Sequence, residues 1–203
     1  MDLNATVIRS GLFGPDVRAE TQASGGGATH LAALFDLSTP PLANAETGHG
    51  LIDPDDIAEP VLRSLYDYWD GLRSKGLPPR RADIDPLEMR GFLPHVFLAD
   101  TAEHIDDFRF RLYGTAVVEG FGEDRTGWRF EQHAHIENVH DVNAGYLFVR
   151  DNARPHYLPN RVVSHWRDYR GYSRLLLPLF GESGQVDMIV GGAWFFTVDD
   201  PET

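Results

Sequence analysis

Tyr172-Ser173-Arg174-Leu175-Leu176-Leu177-Pro178-Leu179-Phe180 and, past the break at 181–184, the run 186–198 are the stretch that decides the fold. Leu175, Leu177 and Leu179 alternate with Leu176, Pro178 and Phe180, so both faces of the first run are apolar. In the second run Ile189 and Phe195 lie opposite Met188 and Trp194. Such alternation on either side of a short glycine-containing turn predicts two adjacent strands. A sheet that is apolar on both faces needs cover on both.

Upstream, 157–164 predicts a further strand, separated from 172–180 by a turn near 167–171. Earlier still, 95–101 and 107–113 predict a strand pair. In its second member Phe108, Phe110 and Leu112 alternate with Arg109, Arg111 and Tyr113, the signature of a half-buried strand. Between these groups Thr115 is placed to cap a short helical segment with Val117, Val118 and Phe121. A longer helix carries Val139, Val142, Tyr146, Val149 and Ala153 on one side and ends at Arg154-Pro155. Asp85-Pro86-Leu87-Glu88 predicts another short helix, with Asp85 as cap and Glu88 reaching back to the cap amide, stopped before Pro94.

Ile57, Val61, Leu65, Tyr68, Trp69 and Leu72 recur at steps of three and four, with Pro60 in the first turn and Gly76 just past the end. That is an amphipathic helix. The order of elements gives an α+β fold: a five-stranded antiparallel sheet with helices on one face and this N-terminal helix as cap or dimer element on the other. Val61, Leu65, Trp69 and Leu72 are the cap or dimer candidates, with Trp69 as anchor of an expected homodimer. Residues 1–54 read as an extension, because Ser24-Gly25-Gly26-Gly27 is a flexible break and Thr39-Pro40-Pro41 is loop chemistry. The domain is expected over 55–198, followed by an acidic tail at 199–203.

The chain of 203 residues has 18 Lys and Arg against 31 Asp and Glu, a formal net charge of −13. Nucleic acid is therefore an unsuitable partner, since phosphate binding draws on a basic surface. No apolar run approaches the roughly 18 residues of a membrane span. Met1-Asp2-Leu3-Asn4 does not start a secretory signal, so the cytoplasm is the expected compartment. Zero cysteines exclude disulfides, thiolate metal sites, Cys nucleophiles and thiol-adduct flavin photochemistry.

Several ordered motifs resemble a family of PAS-domain proteins of alphaproteobacteria. Asp83-Ile84-Asp85-Pro86-Leu87-Glu88 and Phe92-Leu93-Pro94-His95-Val96-Phe97-Leu98 look like its opening. Phe110-Arg111-Leu112-Tyr113-Gly114-Thr115 and Gly122-Glu123-Asp124-Arg125-Thr126-Gly127 match its middle, and Tyr172–Leu179 with Val186-Asp187-Met188-Ile189 its end. The similarity runs over roughly 57–196. It implies a PAS-like sheet with helices on one face, used in sensing and signalling through a small pocket or through protein contacts. Fold membership alone does not name a ligand. The expected function is a stand-alone PAS-type regulator that binds a signalling protein, such as a kinase or another regulator. The alternatives are a small-ligand receptor and an enzyme on the same fold.

Phe110, Leu112, Val117, Phe121, Trp128, Tyr146, Val149, Leu177, Met188 and Trp194 are candidates to line a pocket between sheet and helices, or to fill it. Among nine histidines, His133, His135 and His140 cluster near Glu131 and Glu137, but no third ligand has a recognised metal spacing, and no metal is expected. The stripe on the long helix carries no histidine for haem, and nothing supports non-covalent flavin, so no cofactor is expected. Asp187 with His156 or His165 would be the acid and base of an enzyme. No nucleophile elbow or phosphate loop accompanies them. Trp166, Arg167, Tyr169, Arg170, Tyr172 and Arg174 interleave cations with aromatics, which in so acidic a chain reads as a local hairpin with cation–π contacts.

Overall fold

The computed structural model describes residues 53–73, 77–133, 139–165 and 168–197. Strands β1 (Val96–Asp100), β2 (Arg109–Tyr113), β3 (His156–His165), β4 (Asp168–Phe180) and β5 (Val186–Thr197) form one sheet in the order β2-β1-β5-β4-β3. Every neighbouring pair is antiparallel. The α-helices are α1 (Pro60–Arg73), α2 (Thr115–Phe121) and α3 (Val139–Asn152). The α+β class and the single antiparallel sheet are as the alternation predicts. The extension up to residue 52 and the acidic tail lie outside the described residues.

Helix α1 buries Leu62, Leu65, Tyr66, Trp69 and Leu72, a stripe at three- and four-residue steps. On the sheet this stripe meets Val96, Leu98, Leu175, Leu177, Leu179 and Val190, an all-apolar layer. Two polar contacts fix the helix on it. The Trp69 indole N–H donates to the Pro178 carbonyl at 2.8 Å, and the Tyr157 hydroxyl donates to the Glu59 carboxylate at 2.6 Å. Of the cap or dimer candidates, Leu65, Trp69 and Leu72 are buried and Val61 is half-buried, all within the chain's own fold. The helix is thus a cap on its own sheet, and those buried side chains are not available to a second copy while it stays docked.

Pro178 inside a central strand looks out of place, since proline cannot donate to a ladder. The pairing explains it. The β3–β4 ladder reaches only to His156 opposite Leu176, so Pro178 lies beyond the last rung on that side. Its carbonyl turns to Trp69, and the next amide on that edge, from Phe180, donates to the Pro79 carbonyl at 2.8 Å.

Three expectations about local structure change. Residues 86–92 are successive turns and not a helix: the Asp85 carboxylate accepts the Leu87 amide at 2.9 Å, and the Asp85 amide donates to the Tyr68 hydroxyl at 2.8 Å. Asp85 therefore closes a tight side-chain turn, while the amide expected to meet Glu88 is taken by Tyr68. Strand β4 starts at Asp168, paired with His165, so the turn is tighter than 167–171. Finally, Leu98 faces Leu112 and Ala99 faces Phe110, which leaves Arg111 as the extra residue of a β-bulge. A bulge shifts the alternation by one, so Leu112 leaves the face of Phe110 and packs on the α1 side.

Candidate functional site

The other face of the sheet is built differently. Phe97 and Phe110 meet Tyr146 of α3 there, and Phe195 meets Phe121 of α2 edge-on with centroids 4.9 Å apart. Phe130 joins them, 4.6 Å from Phe110 and 4.8 Å from Tyr146. The bulge at Arg111 is what lets Phe110 and Tyr113 point to this side together, their rings 4.8 Å apart. Among the aromatic rings sit polar groups that the α1 face lacks: Arg125, His156 and Arg174 are all buried.

Arg125 is neutralised by Glu123, its Nε and Nη2 reaching the same carboxylate oxygen at 2.8 and 2.7 Å, and its guanidinium covers the Phe121 ring at 5.1 Å. Arg174 stacks on the Tyr146 ring at 4.9 Å and donates from Nη2 to the Val142 carbonyl at 3.2 Å. His156, at the first position of β3, is wholly buried and stands 5.8 Å from the Phe148 ring. Gly145 of α3 lies over both residues. A Cβ there would fall 2.7 Å from Arg174 Nη2 and 3.0 Å from His156 Cε1, so glycine is the residue that admits them beneath the helix.

Burial raises the Tyr146 phenol far above its ordinary value, with Arg174 opposing the shift, and raises Tyr113 strongly as well, with Tyr146 adding to the effect. On the α1 face burial, then the hydrogen bond to Glu59, pushes Tyr157 up to about 12. These groups hold their protons longer in the folded than in the unfolded chain, where tyrosine titrates near pH ~10. Their contribution to stability is complete below the unfolded value and is lost as pH rises through the folded ones. Stability is therefore expected to fall from about pH 10 upward, with Tyr146 and Tyr113 ionising only as the domain unfolds. Ultraviolet titration of tyrosine alongside circular dichroism checks this; smooth ionisation of all seven tyrosines before loss of structure would contradict it.

The pocket candidates divide between the two faces. Phe110, Val117, Phe121, Tyr146 and Val149 are in the helix-side layer, Val117 and Val149 with no exposure. Leu177 and, partly buried, Leu112 and Met188 belong to the α1 layer. Trp128 is half-buried beside β2, where its carbonyl accepts the Phe110 amide. Trp194 is 37 % exposed and stacks on His95 at 5.3 Å, so it lines no interior. The ten do not form one pocket, because the strand alternation sends Leu177, Met188 and Trp194 to the face opposite α3 and the bulge sends Leu112 after them.

Asp187 is exposed beside Gly181 in the β4–β5 turn, so it does not share the buried surroundings of His156. The side chain of His165 lies outside the described residues, as do His135, Glu137 and the side chains of His133 and His140. Trp166 and Arg167 and the side chains of Tyr169 and Arg170 are likewise outside them. Tyr172 and Arg174, read as part of a local hairpin with cation–π contacts, are 4 % and 3 % exposed, and Arg174 makes its cation–π contact with Tyr146 of α3. Arg125 was missed because its motif reads as an ordinary charged turn.

A family model described as PAS domain matches residues 57–193, from three residues before α1 through most of β5. The chain belongs to the PAS domain family. No curated relative matches the sequence. Among solved structures the chain is similar to the PAS domain from Bordetella pertussis BvgS, at 19 % identity and a TM-score of 0.35, over 58 % of this chain and 89 % of that one. A PAS domain is a sensory and regulatory module, and the family is generally not catalytic. In this PAS domain no described helix is long and apolar enough to cross a membrane.

Proposed function

We propose that this PAS domain is the input element of a regulatory protein: a small molecule held in the helix-side interior alters its contacts with a signalling partner in the cytoplasm. The observation that supports the reading is the difference between the two faces. Under α1 the buried polar groups are few and Glu59 is paired with Tyr157, while the other face holds two buried arginines, a buried histidine and buried tyrosines among its rings. Polar groups under a helix are costly to bury and give orientation to a ligand in return. Trp194, exposed on β5 and stacked on His95, is the kind of aromatic that protein contacts use, and it favours another protein as the recipient of the signal.

Native mass spectrometry of the purified chain and thermal unfolding against a library of small metabolites test the reading. A ligand at a hundred times its Kd adds about 2.7 kcal/mol, roughly 5–10 °C in a domain of this size. The expected result is a non-covalent mass released on denaturation, or a library compound that raises the melting temperature by that much, with no Soret band. A chain that carries nothing and responds to no compound would act by protein contact alone, and the input proposed here would be wrong.

A further inference from the structure

Resting on that reading of the helix-side interior as a ligand site, we propose that the ligand is a small organic carboxylate and that Arg174 is its counter-charge. Arg174 is 3 % exposed, and its side chain is a cation with donors only. A buried charge is costly unless it is paired and its N–H groups are all used. Arg125 meets that requirement through Glu123, whereas no described carboxylate comes within ion-pairing distance of Arg174. What Arg174 does have is the ring and hydroxyl of Tyr146, the Val142 carbonyl, and an Nε with no hydrogen-bond partner among the described residues.

A further feature adds positive potential at the same point. Val142 is in the first turn of α3, a 14-residue helix, so the positive end of the helix dipole stands beside the guanidinium when a cation there would ordinarily be disfavoured. An anion is the group that both positive elements favour. The open Nε and the neighbouring terminal nitrogen form the side-on edge of the fork, which suits the two oxygens of a carboxylate. One positive charge without a described counter-charge calls for a monoanion, and the ring of Tyr146 provides an aromatic wall.

The test uses the full chain, with thermal unfolding in sodium benzoate and in its uncharged isostere benzamide at matched ionic strength, for wild type, Arg174→Met and Arg174→Lys. Benzoate is expected to raise the wild-type melting temperature by several degrees and benzamide to leave it unchanged. Arg174→Met should abolish the benzoate effect. Arg174→Lys, which keeps the charge without the fork, should weaken the apparent Kd by about tenfold. Equal shifts from benzoate and benzamide would overturn the anion and leave the ligand reading standing. A benzoate shift that persists in Arg174→Met would also overturn it, since the acid would then bind elsewhere. No shift from either probe overturns it too, and the native mass spectrum and metabolite library then decide whether the ligand reading falls as well. If Arg174→Met does not fold, the benzoate–benzamide contrast in wild type and the Lys variant carries the decision.

Discussion

Trp69→Ala is expected to destabilise the domain by about 3–5 kcal/mol, the usual cost of truncating a fully buried tryptophan. The indole is 3 % exposed in the α1 layer, and its N–H occupies the Pro178 carbonyl, on the edge of β4 that β3 has already left. Truncation therefore opens a cavity beneath the helix and leaves a strand carbonyl without its donor. With total stabilities of 5–15 kcal/mol, such a loss leaves a domain near its unfolding threshold. Denaturant titration would measure it. Trp69→Phe, which keeps most of the packing and loses the hydrogen bond, should cost clearly less. A loss below about 1 kcal/mol in the alanine variant would mean that α1 is not docked on the sheet as described.

Gly114→Ala is expected to be of similar severity, about 3 kcal/mol or more, for a different reason. Gly114 follows β2 and precedes α2 with an ordinary φ of −66°, so conformation does not demand glycine there. Space does. A Cβ would fall 2.2 Å from the Pro94 carbonyl oxygen and 2.8 Å from that of Leu93, and these are backbone atoms of the turn that leads into β1. Relief requires β2 and that turn to part, which would break the bond from the Gly114 amide to the Val96 carbonyl at 2.8 Å. Gly91→Ala, where a Cβ meets nothing within 4 Å, is the control and should be near neutral. If Gly114→Ala melts like wild type, the close approach is not as described.

The sheet and both of its coverings were legible in the sequence because burial on two sides leaves no polar position in Leu175–Phe180, and such a pattern has few other solutions. Helix α1 was equally legible from its stripe. The destination of Leu112 was not, because Phe108, Phe110 and Leu112 alternate without a fault and the bulge at Arg111 is set by the partner strand. Asp85 was misjudged for a similar reason: its carboxylate suits a helix cap and a side-chain turn alike, and Tyr68, from α1, settles which forms. In the site, the aromatic members followed from hydrophobicity. Arg174 did not, since arginine next to tyrosine on a sequence is as good a description of a wet surface as of a buried cation–π contact. Only the helix laid across it, with Gly145 at the crossing, separates the two.

The strand order carries a consequence for how the chain acquires its fold. β1 sits between β2 and β5, and Val96 pairs with Gly192. The meander from β3 to β5 closes over short distances along the chain, but β1 and β2 have to wait for the last of these strands before they gain their inner neighbour. Closing so long a loop before any contact repays it slows folding. On the ribosome, the first hairpin therefore emerges with Val96–Ala99 unpaired along one edge and stays that way until β5 has cleared the exit tunnel. In that interval the nascent chain presents an apolar strand edge to its surroundings, so it is during synthesis, rather than once folded, that this protein has most need of a chaperone.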